Sequence, residues 1–221
     1  MTIQARLPVG ATYMPELFSG EEAVRLAAAL DACPWDTTLK RRVQHFGYRY
    51  DYRARAVTGD AYLGPLPDWL SGVCRRLAGE GYFERLPDQV IANEYLPGQG
   101  ISAHVDCVPC FADRIASLSL LSACEMVFRH AASGERCSLM LEPGSLLVME
   151  GAARYDWTHE IPARAADSVD GEKRPRGRRV SLTFRNVIRS LEPPDTDALN
   201  RRVKLLIQPS SMTVQAIHKI R

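Results

Sequence analysis

From about residue 88 the chain is cut into short runs, alternating or wholly apolar, each stopped within a few positions by turn residues. Gln89–Leu96 ends in Pro97-Gly98-Gln99-Gly100, and Ile101–Val105, Ile115–Leu121 and Met126–His130 follow, the last closed by Ala-Ala-Ser-Gly. Ser138–Leu141 stops at Pro143-Gly144, and Ser145–Met149, Trp157–Ile161 and Arg179–Val187 complete the series. Closely spaced short strands divided by turns fold as an antiparallel sandwich or jelly roll. Ahead of them the pattern is helical. Ser19–Cys33 has Ser19 to cap, Glu21 and Glu22 at the positive end, and a stripe of Ala23, Leu26, Ala27 and Leu30 before Pro34. Pro67–Gly79 carries a second stripe, Leu66, Leu70, Val73 and Leu77. The expected class is α+β, a jelly-roll core with N-terminal helices packed on it.

A chain of 221 residues suits one catalytic domain with a tail. We expect a domain over 1–190 and a C-terminal tail of unassigned role over 191–221. With 28 basic and 26 acidic residues the net charge is +2, so nucleic-acid binding has to come from local patches. The basic residues Lys173, Arg174, Arg176, Arg178 and Arg179 close a polar stretch read as a mobile surface loop, either simply solvated or touching nucleic acid. The segment Met1–Gly10 lacks a basic start and apolar core, and no apolar run reaches the roughly 18 residues of a membrane span. A cytoplasmic monomer that holds no membrane is the expectation. The six cysteines are irregularly spaced in a chain too large to need staples. The Cys107-x-x-Cys110 pair has no second Cys/His pair at finger spacing, and it is read as a coincidence of the loop.

The chemistry begins at His104-Val105-Asp106. Two residues apart on a strand, an imidazole and a carboxylate point to one face and can converge on one ion. His159 lies on another expected strand. Two histidines and one carboxylate form the facial triad of non-haem iron(II) oxygenases, which leaves positions open for a bidentate cosubstrate and oxygen. Arg179 through Arg185 alternates, with Val180, Leu182 and Phe184 on one face and Arg179, Ser181, Thr183 and Arg185 on the other. Two guanidiniums roughly 20 Å apart along a strand, each reaching inward, leave a gap near the length of a five-carbon diacid. The bland alternative is an edge strand with a solvated face. Asn93 and Tyr95 share a side of their strand, as donors to a carboxylate or as ordinary core groups.

Taken in order, Asn93-Glu94-Tyr95-Leu96-Pro97-Gly98, His104-Val105-Asp106, Trp157-Thr158-His159 and Arg179–Arg185 resemble the AlkB-like family of Fe(II)/2-oxoglutarate-dependent dioxygenases. The resemblance spans about residues 12–188. It implies a double-stranded β-helix, with Fe(II), 2-oxoglutarate and O2 as cofactor and cosubstrates. It places iron on His104, Asp106 and His159. Arg185 and Asn93 would hold the iron-chelating end of 2-oxoglutarate, and Arg179 and Tyr95, with Ser181, its far carboxylate. It also implies a lid, here about residues 38–56, that grips a DNA or RNA substrate. Aromatic and basic residues interleave there, and Arg42, Phe46, Tyr48 and Tyr50 are the candidate contacts; a surface hairpin with ordinary aromatic packing is the plain alternative. The activity so implied is oxidative demethylation of N-alkylated nucleobases, with release of succinate, CO2 and formaldehyde. One departure matters. Many repair members carry a second carboxylate two residues after the metal aspartate, where this chain has Val108. A hydroxylase of a modified tRNA base or of a protein side chain therefore stays open, with a non-enzymatic jelly-roll binding module behind it.

Overall fold

The computed structural model of the chain describes residues 7–58 and 61–188, and the tail expected over 191–221 lies outside the described residues. The elements are β1 (Ala11–Met14), α1 (Gly20–Asp31), β2 (Val43–Phe46), α2 (Asp68–Gly79), β3 (Gln89–Tyr95), β4 (Ile101–His104), β5 (Ile115–Leu120), β6 (Cys124–His130), β7 (Arg136–Leu141), β8 (Leu146–Met149), α3 (Gly151–Tyr155), β9 (Trp157–Ile161), β10 (Ala166–Val169), β11 (Glu172–Pro175) and β12 (Arg179–Arg185). Every strand pairing is antiparallel. A six-stranded sheet runs β1-β8-β5-β12-β3-β2 and a four-stranded sheet β4-β9-β6-β7, a layout of the jelly-roll type.

Local chemistry explains the ends of the first helix. The Ser19 side chain accepts from the Glu22 amide while Glu22 reaches back to the Ser19 amide, closing a capping box. The apolar stripes of α1 and α2 then share one buried cluster with one face of the large sheet. Leu30, Leu70 and Leu77 are fully buried together with Val90, Leu118, Leu182 and Phe184. A second cluster gathers Tyr95, Phe128, Leu147, Met149 and Trp157 on the side of the small sheet.

Strand β12 sits between β5 and β3 and is buried on both faces. Its period of two sorts the side chains: Val180, Leu182 and Phe184 enter the helix-covered cluster, while Arg179, Ser181, Thr183 and Arg185 face a cavity between the sheets. The same parity governs β2, whose Val43 pairs with Asn93 and Phe46 with Val90.

Two expectations need correction. The polar stretch before residue 179 is a hairpin, β10 with β11, rather than a loop. Its anchor is Asp167, a buried carboxylate that accepts from Arg176 Nη2 at 2.6 Å and from the Glu125 amide at 3.1 Å, and also pairs with Arg164. The basic residues around it are committed to acids: Arg174 to Glu142 at 2.6 Å, and Arg178 to Asp31 at 2.6 Å and to Glu94 at 2.6 Å. These pairs remove the support for that cluster as a nucleic-acid contact. The second correction concerns Cys107 and Cys110, which are joined in a disulfide. Among the described residues no helix is long and apolar enough to cross a membrane.

Candidate active site

Strands β4 and β9 pair so that His104 stands opposite His159. Gly100, just before β4, permits this closeness, since a Cβ there would lie 2.1 Å from the Ile161 carbonyl oxygen. The two imidazole centroids are 4.4 Å apart. His104 Nδ1 lies 2.7 Å from the Ser102 carbonyl oxygen. A carbonyl can only accept, so Nδ1 carries the hydrogen and the Nε2 lone pair is left for a cation. His159 is held neutral: burial, reinforced by the charge of His104, pushes its imidazole down to about 4.

Asp106 follows β4 directly. Burial opposes its ionisation, but Arg185 and both imidazoles outweigh burial and hold the carboxyl well below the usual carboxylate range. Arg185 Nη2 donates to Asp106 Oδ1 at 2.9 Å and its Nη1 to Gln89 Oε1 at 3.2 Å. Beneath them Arg154, a fully buried arginine of α3, donates to the Asp106 carbonyl at 3.0 Å and the Cys107 carbonyl at 3.4 Å. Among the described residues no three His, Cys, Asp or Glu side chains are gathered as a ready metal cage. The Asp106 carboxylate is paired with Arg185. The donor set itself, two imidazoles and an ionised carboxylate, fits iron(II).

The cavity holds about 1120 Å³. Arg179 and Arg185 line it from β12, Asn93 and Tyr95 from β3, and His104, Asp106 and His159 from the opposite side. Arg179 donates one bond, Nη2 to Ser119 Oγ at 2.9 Å, and lies over the Tyr95 ring with its carbon 5.4 Å from the centroid. Its Nε and Nη1, and Nε of Arg185, are buried with no partner among the described residues. Buried guanidinium N–H groups left open to a cavity are costly unless an anion completes them. Arg185 stands at the histidine end and Arg179 away from it, so the cradle offers two cationic stations for a diacid.

The candidate substrate contacts divide. Tyr50 lines the cavity. Arg42 does not: its guanidinium donates to Glu94 at 2.5 and 2.7 Å and covers Trp35. Phe46 packs edge-on against Trp69 in the helix-side cluster, and Tyr48 packs on Tyr62 and the Phe111–Val187 cluster. None of these three side chains lines the cavity. On β2 the even positions face the helices and the odd positions the cavity side, so the arginine at the cavity is Arg41, with Lys40, Tyr52 and Arg55 beside it. The register of β2 against β3 was the missing signal. His45 is structural: its Nδ1 accepts from the Tyr50 amide at 3.2 Å. Val108 is exposed and does not line the cavity. Two other contributors were overlooked, Ser119 and Arg154. A serine at alternate positions in the otherwise apolar β5 pointed to Ser119, whereas nothing in the sequence marks Arg154 as buried.

Residues 10–185 match the model of the 2OG-Fe(II) oxygenase superfamily. The mouse protein "tRNA (carboxymethyluridine(34)-5-O)-methyltransferase ALKBH8" is 40% identical over 210 residues, covering 83% of this chain and 31% of that protein. The chain thus spans about a third of that relative's length. The bovine "Alpha-ketoglutarate-dependent dioxygenase alkB homolog 7, mitochondrial" is 33% identical over 203 residues, 89% of this chain and 87% of that one. Among solved structures, "The structure of OsALKBH1" superposes with a TM-score of 0.61 at 17% identity, over 83% of this chain and 99% of that chain, a likeness of fold.

Proposed function

The chain belongs to the 2OG-Fe(II) oxygenase superfamily, on its AlkB-like side, and from that premise we propose that it oxygenates a base in nucleic acid, most directly by hydroxylating a C–H bond of a modified base in tRNA. One observation carries the reading: a single cavity joins two histidines and an aspartate at one end, buried guanidiniums with open N–H groups along β12, and a mouth of Lys40, Arg41, Arg55, Tyr50 and Tyr52. Cations with interleaved aromatics suit backbone phosphates and an unstacked base. The choice of tRNA rests on the name of the mouse relative, and on Val108 standing where a lesion-reading carboxylate would be needed.

His104, Asp106 and His159 would hold the iron. Arg185 and Asn93 would hold the 2-oxoglutarate carboxylate nearest the metal, and Arg179, Tyr95 and Ser181 the distant one. When bound, iron with 2-oxoglutarate and dioxygen supplies the oxidising power to insert one oxygen atom into a C–H bond, with succinate and carbon dioxide as co-products. The protein's own part is positional. The buried His159 keeps its lone pair at neutral pH, Ser102 fixes the His104 tautomer, and Arg154 pins the Asp106 backbone. The two guanidiniums orient the diacid along β12.

The second reading, favoured by the same cavity, is demethylation of an N-methyl base, in which the hydroxymethyl product collapses to formaldehyde and free base. The test begins with an anaerobic optical titration of the full chain with iron(II) and 2-oxoglutarate, repeated with His104→Ala. A visible band that needs both ligands and disappears in the variant is expected. Aerobic incubation with unfractionated tRNA and with methylated DNA and RNA oligomers then separates the readings by mass. A gain of one oxygen on a tRNA nucleoside supports hydroxylation, and loss of a methyl with formaldehyde supports the second reading. A folded wild-type protein with no band sinks both.

A further inference from the structure

Asn93 lies at the join between the segment leading into β2 and the cavity, and Arg41 stands over it. Arg41 Nε donates to Asn93 Oδ1 at 3.0 Å. The two are 52 positions apart in sequence, and Asn93 is buried while Arg41 is half-buried at the cavity mouth. The guanidinium carbon of Arg41 also lies 5.7 Å from the centroid of Tyr52. So one side chain touches the mouth segment, its aromatic lining and a buried amide of the central sheet.

An amide can present either its oxygen or its NH2 group to a neighbour. Arginine carries five N–H donors and no acceptor. Beside Arg41 the amide of Asn93 has one acceptable orientation, oxygen toward the guanidinium, and both its N–H donors are then left for the cavity. With the opposite orientation, N–H would face N–H and the oxygen would confront the ligand carboxylate. We infer that Arg41 is a positioning residue: by taking the Asn93 oxygen it sets that amide as a donor to the bound 2-oxo acid, and it thereby couples seating of the 36–58 segment to cosubstrate binding. This rests on the proposed 2-oxoglutarate site.

The neighbouring residue holds the frame on which this works. The backbone of Arg42 accepts from the Glu94 amide at 2.9 Å, extending the β2–β3 ladder past Val43. Its side chain clamps the Glu94 carboxylate on the far face of the sheet at 2.5 Å. Arg41 and Arg42 thus grip adjacent residues of β3 from opposite faces, one for structure and one for the cavity. Coupling is reciprocal, so a ligand that draws on the Asn93 N–H donors also holds the mouth segment in place.

The test is a double-mutant cycle on 2-oxoglutarate affinity, read from the iron-dependent band of the full chain under anaerobic conditions. Arg41→Ala is expected to weaken 2-oxoglutarate binding about tenfold, and the Arg41→Ala/Asn93→Ala pair to bind no more weakly than Asn93→Ala alone. Arg41→Lys, which keeps a donor for the amide oxygen, is expected to recover affinity to within about threefold of wild type. Trypsin at exposed Arg53 and Arg55 gives the reciprocal readout, with iron and 2-oxoglutarate slowing cleavage in wild type but not in Arg41→Ala. Additive losses in the double variant would mean that Arg41 touches the ligand itself, and would overturn the inference. So would an Arg41→Ala protein with unchanged 2-oxoglutarate affinity and weakened tRNA binding alone. If wild type shows no 2-oxoglutarate-dependent band, the proposed function fails first, and that outcome is told apart by the wild-type control.

Discussion

At the scale of single residues, His45 shows how a polar group can be structural inside a cavity wall. Its Nδ1 accepts the Tyr50 amide, a role open only to the neutral ring. Burial, with help from Arg49, pushes its imidazole from 6.5 down to about 4. The folded value lies below the unfolded one, so the unfolded chain takes up the proton first. The stability His45 contributes is therefore whole above about 6.5 and is lost as pH falls toward about 4. The loss in that window is at most on the order of 1 kcal/mol per pH unit. His159 shifts in the same direction, so His45→Gln should flatten the acid limb of urea midpoints between pH 7.5 and 5 in part, not wholly. An unchanged limb in the variant would refute the assignment. Residue identity singled out His104, Asp106 and His159, and the strand pairing sets His104 opposite His159. It could not choose between Arg41 and Arg42, which differ only in the side of a strand they occupy.

Elements were legible where alternation or an apolar run was strong. β3, β5, β9 and β12 fall on the expected runs because their buried positions demand apolar or cavity-facing residues at a fixed period. The α1 boundary was readable from Ser19 and Glu22. The hairpin β10–β11 was hidden for the opposite reason. Its stability comes from charge pairing rather than apolar burial, and a run of charges looks like a solvated loop. Asp167 is the pivot, with its side chain 2% exposed and that of Arg176 5% exposed. Asp167→Ala removes the carboxylate shared by Arg176, Arg164 and the Glu125 amide, leaving Arg176 only the Pro162 carbonyl and Arg164 only Glu125. It should lower the free energy of unfolding by roughly 3 kcal/mol in urea titrations. The iron-dependent band should survive at high protein stability conditions, because the hairpin supplies no donor to the metal site. A variant as stable as wild type would show the ion pairs to be incidental.

For the whole molecule, the arrangement of sheets stores an unfavourable term in the cavity. Among the described residues Nε and Nη1 of Arg179 have no partner, a cost to the free protein that a bound anion would offset. Arg179→Met should therefore raise the melting temperature of the free chain, by the equivalent of about 1 kcal/mol. Wild type with iron and 2-oxoglutarate at a hundred times Kd should gain about 2.7 kcal/mol, a shift of roughly 5–10 °C, and Arg179→Met at the same ligand concentrations should gain clearly less. Thermal shift assays on both proteins decide the matter, and an undiminished ligand shift in the variant would move the diacid site elsewhere. The two-faced strand β12 has a further bearing, on descent. Its odd positions serve the cavity and its even positions the helix-covered core, so one inserted or deleted residue between 179 and 185 would trade the two sets, sending both arginines into apolar packing. Single replacements leave that division intact, whereas a change in the strand's length does not, and extra length at the exposed turn of Gly134 would leave it untouched.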